Sequence, residues 1–543
     1  MSSTPPPGVP RARPHPLTVA AVLVSVAIAV AFGALVERTP TISDPLGYLH
    51  AGERLAAGRG PTYEDANDAI AGPYFVLYAF QVSRAGDEAH YLGYPPGFPL
   101  LLAAGGLLGA IHAVVPLLAG LTVLATYGLG AALTGSRGAG LAAALVLAAT
   151  PVYWEFGTAA WSDVPAALAA SAGLLLFVKA RSGPRHGLAL SLAAAAVLSF
   201  GHFIRYTNVT FLAAAALFDL VDGGRRLPAE RWRWPFWLAA GAGLAAIPLF
   251  NHFDYGGALV TSYNPTHGWY PHPPFAAAYA LGPSFVNGYS LREAAATLWR
   301  NFYVALPVAA YGWWPLRPAA RALVGAAVLF GVLPYLFYAF TPAGINSRFL
   351  LPVFPFVAVA AGQGVALLLR RIRRPRARAA TGAALAVAAV AVGLSHIPEL
   401  MARNEASRST VARAVALAAE TDPGAVVLSY VYNDMIAVYG GRSVLNYRRI
   451  PASDAAEGRF RREMLEPCLV GAVDRLLARS IPVYYIEDQQ PSYWDTLDML
   501  RRNYTLSEPA GTPPIYRIGE ATGPHSYDET ACRFPVAPGG AGP

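Results

Sequence analysis

Residues 17–36 read LTVAAVLVSVAIAVAFGALV, an uncharged run that leads within a few residues into Thr41-Ile42-Ser43-Asp44-Pro45-Leu46-Gly47-Tyr48-Leu49-His50-Ala51-Gly52-Glu53-Arg54-Leu55. About 20 apolar residues span a bilayer, so the first segment predicts a transmembrane helix. The second changes character at once. Asp44 stands just outside the apolar slab, at the start of a short amphipathic helix with Leu46, Leu49, Leu55 and Ala56 toward one side and His50, Glu53 and Arg54 on others. Such a helix lies along the membrane surface, where a carboxylate can face a head group. A purely structural reading competes: Asp44 at the N-cap, Pro45 at the first helical position and Gly58 just past the end also make a good helix start and stop. Arg11 and Arg13 precede the apolar run and no small-residue cleavage site follows it, so it reads as a retained anchor.

The same pattern recurs along the chain. Of 543 residues, 55% are hydrophobic and 14% charged, and the mean hydropathy is +0.37, the composition of a polytopic membrane protein. Further spans are predicted near 112–133, 139–154, 163–179, 187–203, 206–221, 235–251, 301–316, 322–340, 349–369 and 380–396, about eleven in all. A re-entrant or interfacial helix is expected near 98–110, after Tyr94-Pro95-Pro96-Gly97-Phe98-Pro99. Alternate crossings put Arg137, the group Lys179, Arg181 and Arg185, Arg225 to Arg233, Arg317 and Arg321, and the arginine run 370–378 on the side of the basic N-terminal tail. The positive-inside rule makes that side cytoplasmic. The net charge of +8 is thereby assigned to juxtamembrane arginines, and nucleic acid is not an expected partner, because no stacking platform accompanies them.

Opposite them fall the acidic loop 37–98, the corners at 153–163, 202–208 and 341–348, the loop 251–300, and everything after about 397. From there the composition becomes that of a soluble domain. Strands are predicted at 425–430, 482–486 and 515–518 and helices at 471–480 and 494–504, an alternation that predicts a small extracytoplasmic α/β domain. The expected organisation is a disordered tail 1–16, a transmembrane domain 17–397, the α/β domain 398–521 and a flexible tail 522–543. Cys468 and Cys532 can pair if this region lies outside the cytoplasm, but the sequence leaves their pairing open.

Several ionisable residues stand at the outer boundary. Asp163, in Trp161-Ser162-Asp163-Val164-Pro165, opens a span, where capping and function are both open. Glu155 reads as an interfacial residue. Arg205 and Arg348 lie on the face that generally avoids arginine, where each can pair with a carboxylate, reach lipid head groups or bind phosphate. His252, His267 and His272 share a loop with Tyr263, Trp269 and Tyr270, rings that suit sugar stacking and equally suit an interfacial belt. No P-loop, GxSxG, HExxH or dinucleotide fingerprint is present.

Taken in order, Asp44 with Tyr48, Tyr94-Pro95-Pro96-Gly97, Ser162-Asp163-Val164-Pro165 and Arg348-Phe349-Leu350-Leu351-Pro352-Val353-Phe354-Pro355 resemble the GT-C class of polytopic glycosyltransferases. The resemblance is to bacterial relatives of protein O-mannosyltransferases and the lipid A aminoarabinose transferase, glycosyltransferase family 39, and covers roughly the first 400 residues. It implies a GT-C fold in the inner or plasma membrane and an inverting transfer of a sugar from a polyprenyl-phosphate donor to a hydroxyl of a lipid, glycan or protein. Asp44 then takes the place of the base and Asp163 that of a second acid. Arg205, Arg348 and Tyr94 are the candidates for the donor phosphate, and Tyr48, His50, Glu53 and Trp269 for substrate binding. Relatives often carry a second acid where Pro45 stands and some a basic residue where Tyr94 stands, so no metal or other cofactor is carried over. Two rivals are weighed. A transporter or flippase calls for ionisable residues at mid-bilayer, whereas these cluster at one face; an inactive scaffold calls for loss of Asp44, which is present.

Overall fold

Lipid offers a helix no hydrogen-bond partners, so its backbone must be satisfied internally, and the apolar runs fold accordingly. The computed structural model describes residues 15–525, except 73, 78, 82–88, 183–186, 225–229, 256, 259–260, 262–282, 285–287, 339–343, 447–461 and 489–495. Helices occupy every expected span position: Pro16–Ala34, Val114–Thr134, Arg137–Ala148 with Pro151–Gly157, Asp163–Arg181, Gly187–Ile204, Thr210–Gly223, Trp234–Tyr255, Ala305–Trp313, Pro318–Leu336, Phe354–Arg371 and Pro375–Leu394. Among the described residues, eight are long and apolar enough to cross a membrane, or nine if one bent pair counts as a span. The chain is a multi-pass membrane protein. The sequence-based count of about eleven is higher because apolarity marks a run but not its breaks. Arg137–Ala148 bends by 67° into Pro151–Gly157, and Thr210–Gly223 and Ala305–Trp313 have 14 and 9 residues.

Val114–Thr134 lies at the centre of the bundle, packed by Pro16–Ala34, Arg137–Ala148 and Asp163–Arg181. Its crossing with the first span is close: Ser25 donates to the Gly120 carbonyl at 2.6 Å, and a Cβ on Gly120 would lie 2.7 Å from the Ser25 carbonyl oxygen. Small residues permit such approach between membrane helices.

The C-terminal region forms a five-stranded mixed sheet. Val426–Leu428 pairs in parallel with Ser443–Val444 on one side and Val483–Ile486 on the other; Ile515–Ala521 and then the edge strand Tyr504–Leu506 add antiparallel. The strand period of two divides the buried residues between two cores. Val426, Leu428, Val483 and Tyr485 pack with Leu469, Val473 and Leu476 of Arg462–Ala478. Val427 and Ile486 join the core shared with Ala414 and Leu417 of Ile397–Ala419 and with the membrane helices. The predicted strands and helices are found, with Tyr504 opening a strand rather than closing a helix; the helix Ile397–Ala419 was not expected.

The loop after the first span carries the helix Ser43–Ala56 and a three-stranded antiparallel sheet with Ala89–Leu92 between Thr62–Glu64 and Phe80–Gln81. This loop interlocks with the C-terminal region. Asn67 donates to Ser443 at 2.9 Å, Asn446 to the Val76 carbonyl at 2.8 Å and Arg475 to the Ala71 carbonyl at 2.9 Å. Ser407 of Ile397–Ala419 donates to the buried Glu37 at 2.6 Å. Cys468 is disulfide-bonded; the sequence offers it one partner, Cys532, which lies outside the described residues.

Candidate active site

Asp44 and Asp163 each open a helix, where a carboxylate ordinarily accepts from the free N–H groups of the first turn. Neither helix has a side-chain cap at Ile42 or Ser162, and both carboxylates turn to other side chains. Asp44 accepts from the Tyr94 hydroxyl at 2.5 Å through Oδ1 and from Arg348 Nη2 at 2.8 Å through Oδ2. Asp163, only 1% exposed, is ion-paired with Arg205 and has Arg348 Nε 3.9 Å from its Oδ2. Two acids and two arginines from four separate stretches thus form one cluster.

Local structure places each member. Arg205 adopts extended backbone and ends the helix Gly187–Ile204; the turn that follows is tied to Asp163–Arg181 by Asn208, which donates to the Ala166 carbonyl at 3.0 Å. Arg205 also donates to the Tyr335 hydroxyl at 3.2 Å, which is shared with Thr207 at 2.8 Å. Arg348 belongs to a 3₁₀ run, Gly344–Val353, ahead of Phe354–Arg371. Its guanidinium carbon lies 3.7 Å from the Trp161 ring centroid, and the Phe349 ring is 5.3 Å from Arg348 and 5.2 Å from Arg205. Tyr94 is set by the Pro-Pro-Gly turn. A Cβ on Gly97 would lie 2.6 Å from the Phe203 carbonyl carbon and 2.7 Å from the Ile204 nitrogen, so glycine lets this turn close on the chain just ahead of Arg205.

Arg348 is 9% exposed, and its Nε and Nη1 are buried without a hydrogen-bond partner among the described residues. Unsatisfied buried donors on a charged group are costly. A bidentate anion fits a guanidinium edge best, but Nε and Nη1 share no edge; each shares one with Nη2, the nitrogen that Asp44 holds.

Tyr48 borders the cluster. Its hydroxyl donates to Ser162 at 3.2 Å and its ring packs 5.0 Å from Tyr94 and 4.9 Å from Phe98. Burial pushes Tyr48 up to about 12; burial and then the Asp44 charge push Tyr94 well above the ordinary phenol value. Both therefore hold their protons at neutral pH. The structure gives Tyr94's hydroxyl to Asp44, where the sequence reading had it on the donor phosphate.

His50 and Glu53 are not brought to the cluster. The His50 ring packs against Tyr63 at 5.6 Å and Phe80 at 5.9 Å, and burial with the Arg54 charge lowers its pKa to about 4. Glu53 faces solvent, and Trp269 lies outside the described residues, as do Tyr263, His267, Tyr270 and His272. Among the described residues no three His, Cys, Asp or Glu side chains gather as metal ligands. Trp161, Thr207, Tyr335 and Phe349 had drawn no site reading of their own. Their only sequence signal is nearness to a charged residue or a span end.

Comparison with known proteins bears on the fold. Residues 95–250 match the family model described as dolichyl-phosphate-mannose-protein mannosyltransferase; no curated protein matches. Among solved structures the chain is similar to ArnT from Cupriavidus metallidurans bound to undecaprenyl phosphate. The TM-score is 0.58 at 13% identity, covering 93% of this chain and 100% of that one. It is also similar to the oligosaccharyltransferase AglB from Archaeoglobus fulgidus in complex with an inhibitory peptide and a dolichol-phosphate. There the TM-score is 0.51 at 12% identity, with 93% and 74% covered. The fold is that of the GT-C polytopic membrane glycosyltransferases.

Proposed function

We propose that this chain transfers a sugar from a polyprenyl-phosphate donor to a hydroxyl of a lipid, cell-envelope glycan or protein, with inversion at the anomeric carbon. The observation that carries the reading is Asp44, held by Tyr94 and Arg348 while two buried nitrogens of Arg348 have no hydrogen-bond partner among the described residues. Asp44 removes the proton of the acceptor hydroxyl, whose oxygen bonds to the anomeric carbon. The bond from that carbon to the phosphate oxygen breaks, and its electron pair stays on the phosphate, held by Arg348 and Arg205. Such base assistance is worth roughly 10²- to 10⁴-fold, and positioned cations at the leaving phosphate add an electrostatic share. Asp163 orients both arginines, and Tyr94 aligns the Asp44 carboxylate. Tyr48 borders the acceptor's approach, and His50, Glu53 and Trp269 stay as candidates for contacts farther along the substrates. The step as written calls on no cofactor.

Two features support placing this chemistry on the extracytoplasmic face of an inner or plasma membrane, with the N-terminus cytoplasmic and the region after 397 outside. Arginine clusters gather at the opposite ends of the spans, and the disulfide at Cys468 suits an oxidising compartment. The test is incubation of purified protein with radiolabelled polyprenyl-phosphate sugars, following release of lipid phosphate, with Asp44→Asn in parallel. Aspartate-dependent release from one donor supports the proposal and identifies the sugar; full release by the variant refutes it.

A further inference from the structure

The cluster is electrically closed. Two carboxylates face two guanidinium groups, so its formal charge is zero before any substrate arrives. The donor's phosphate diester brings a negative charge that needs a cation. Arg348 cannot give that charge its full attention while it holds Asp44 at 2.8 Å.

The two acids are not equally able to yield. Asp163 is 1% exposed, enclosed between Arg205 and Arg348 at the head of a spanning helix. Asp44 has a side chain 20% exposed, on the short helix Ser43–Ala56 outside the spans. Arg348 is held on the other side, its guanidinium carbon 3.7 Å from the Trp161 ring centroid, and Asp44 keeps its Oδ1 on Tyr94 at 2.5 Å, so the contact open to exchange is that of Oδ2 with Arg348. Resting on the reading of the donor site above, we propose that Asp44 is an internal stand-in for the donor phosphate on Arg348. Donor binding then displaces Oδ2 from Arg348, and only that released oxygen serves as the base.

Two things follow. The donor binds before the acceptor can be activated, because Oδ2 of Asp44 is occupied by Arg348 until the phosphate replaces it. The group needed for chemistry also opposes donor binding, so an inactive variant gains affinity for the lipid.

The probe is a radiolabelled short-chain polyprenyl monophosphate, titrated against detergent-solubilised full-length protein, with inorganic phosphate as a second ligand to separate head group from free ion. Asp44→Asn and Asp44→Ala, each checked by thermal unfolding, are expected to bind the lipid about 3- to 30-fold more tightly than the parent, as a close charge pair is removed from competition. In an Arg348→Gln background the same Asp44 substitutions are expected to change binding less than twofold, since the shared partner is gone. Equal or weaker binding by both Asp44 variants, with the parent still binding, overturns the displacement and leaves the donor reading intact. If neither the parent nor any variant binds the lipid, both the donor reading and the displacement fail. A gain seen with inorganic phosphate alone also overturns the proposal, because the ligand must be the lipid-borne phosphate.

Discussion

The molecule buries two arginine–aspartate clusters at different places, and they are finished to different degrees. In the first, Asp219 accepts from Arg181 at 2.8 and 2.7 Å, from Arg233 at 2.8 Å and from the Trp237 indole at 3.0 Å. Arg233 also bonds Asp222 and Glu230. Arg181, Arg233 and Asp219 are at most 9% exposed and none has a buried side-chain atom without a partner among the described residues. In the second, Arg348 is as deeply placed but its Nε and Nη1 have no hydrogen-bond partner among the described residues. A satisfied polar network stiffens a fold, whereas an incomplete one is held open for something else. The contrast sets a cluster whose members are all satisfied against the one proposed as the active site, which burial and charge alone do not distinguish.

The sharpest way to break that contrast is to alter one acid in each. Asp44→Asn is expected to lower the rate of transfer by roughly 10²- to 10⁴-fold with the melting temperature nearly unchanged, read by product formation and thermal unfolding in the same preparation. Asp219→Ala is expected to do the reverse. It strands two buried guanidinium groups, a loss of about 3–5 kcal/mol, read as reduced yield and a lower unfolding temperature, while any folded fraction keeps its specific activity. If Asp219→Ala leaves stability intact and removes activity, the two clusters have been assigned the wrong way round.

A third test lies outside both clusters, at His50 on the helix Ser43–Ala56. Folded His50 titrates near 4 because of burial and the Arg54 charge, whereas the unfolded chain titrates near 6.5. The unfolded state therefore binds more protons in between. The contribution of His50 to stability is complete above about 6.5 and is lost as pH falls toward 4, by at most about 3 kcal/mol. Thermal unfolding across that window should lose part of its slope in His50→Gln. The smallest effect is expected at Trp161. Trp161→Leu removes the ring face under Arg348, worth about 1–2 kcal/mol when desolvated, so donor KM should rise about tenfold with kcat less affected, and Trp161→Phe should restore most of the loss.

The cluster was partly visible in advance. Asp163, Arg205 and Arg348 stand next to predicted spans and Asp44 and Tyr94 in the loop after the first, and position along the chain relative to apolar runs is a property that hydropathy carries. What each one did there was not visible. Asp44-Pro45 and Asp163-Val164-Pro165 are as good helix starts as they are functional acids, and the choice turns on a tyrosine 50 residues away and an arginine 304 residues away. His50 and Glu53 failed to join the cluster because the helix Ser43–Ala56 turns them toward Tyr63 and Phe80 or to solvent. A helix of known period still leaves open what each face meets.

By itself the sequence determined that the chain crosses a membrane many times and that a strand-and-helix region follows the last span. These rest on apolar length and on a period of two or 3.6 residues, both of them local. Only the tertiary structure decided where the spans break, that the first loop locks into the C-terminal sheet, and that Arg348 serves Asp44 with one nitrogen while keeping two in reserve. Those outcomes depend on side chains meeting across hundreds of residues, where packing geometry and not composition selects the partner.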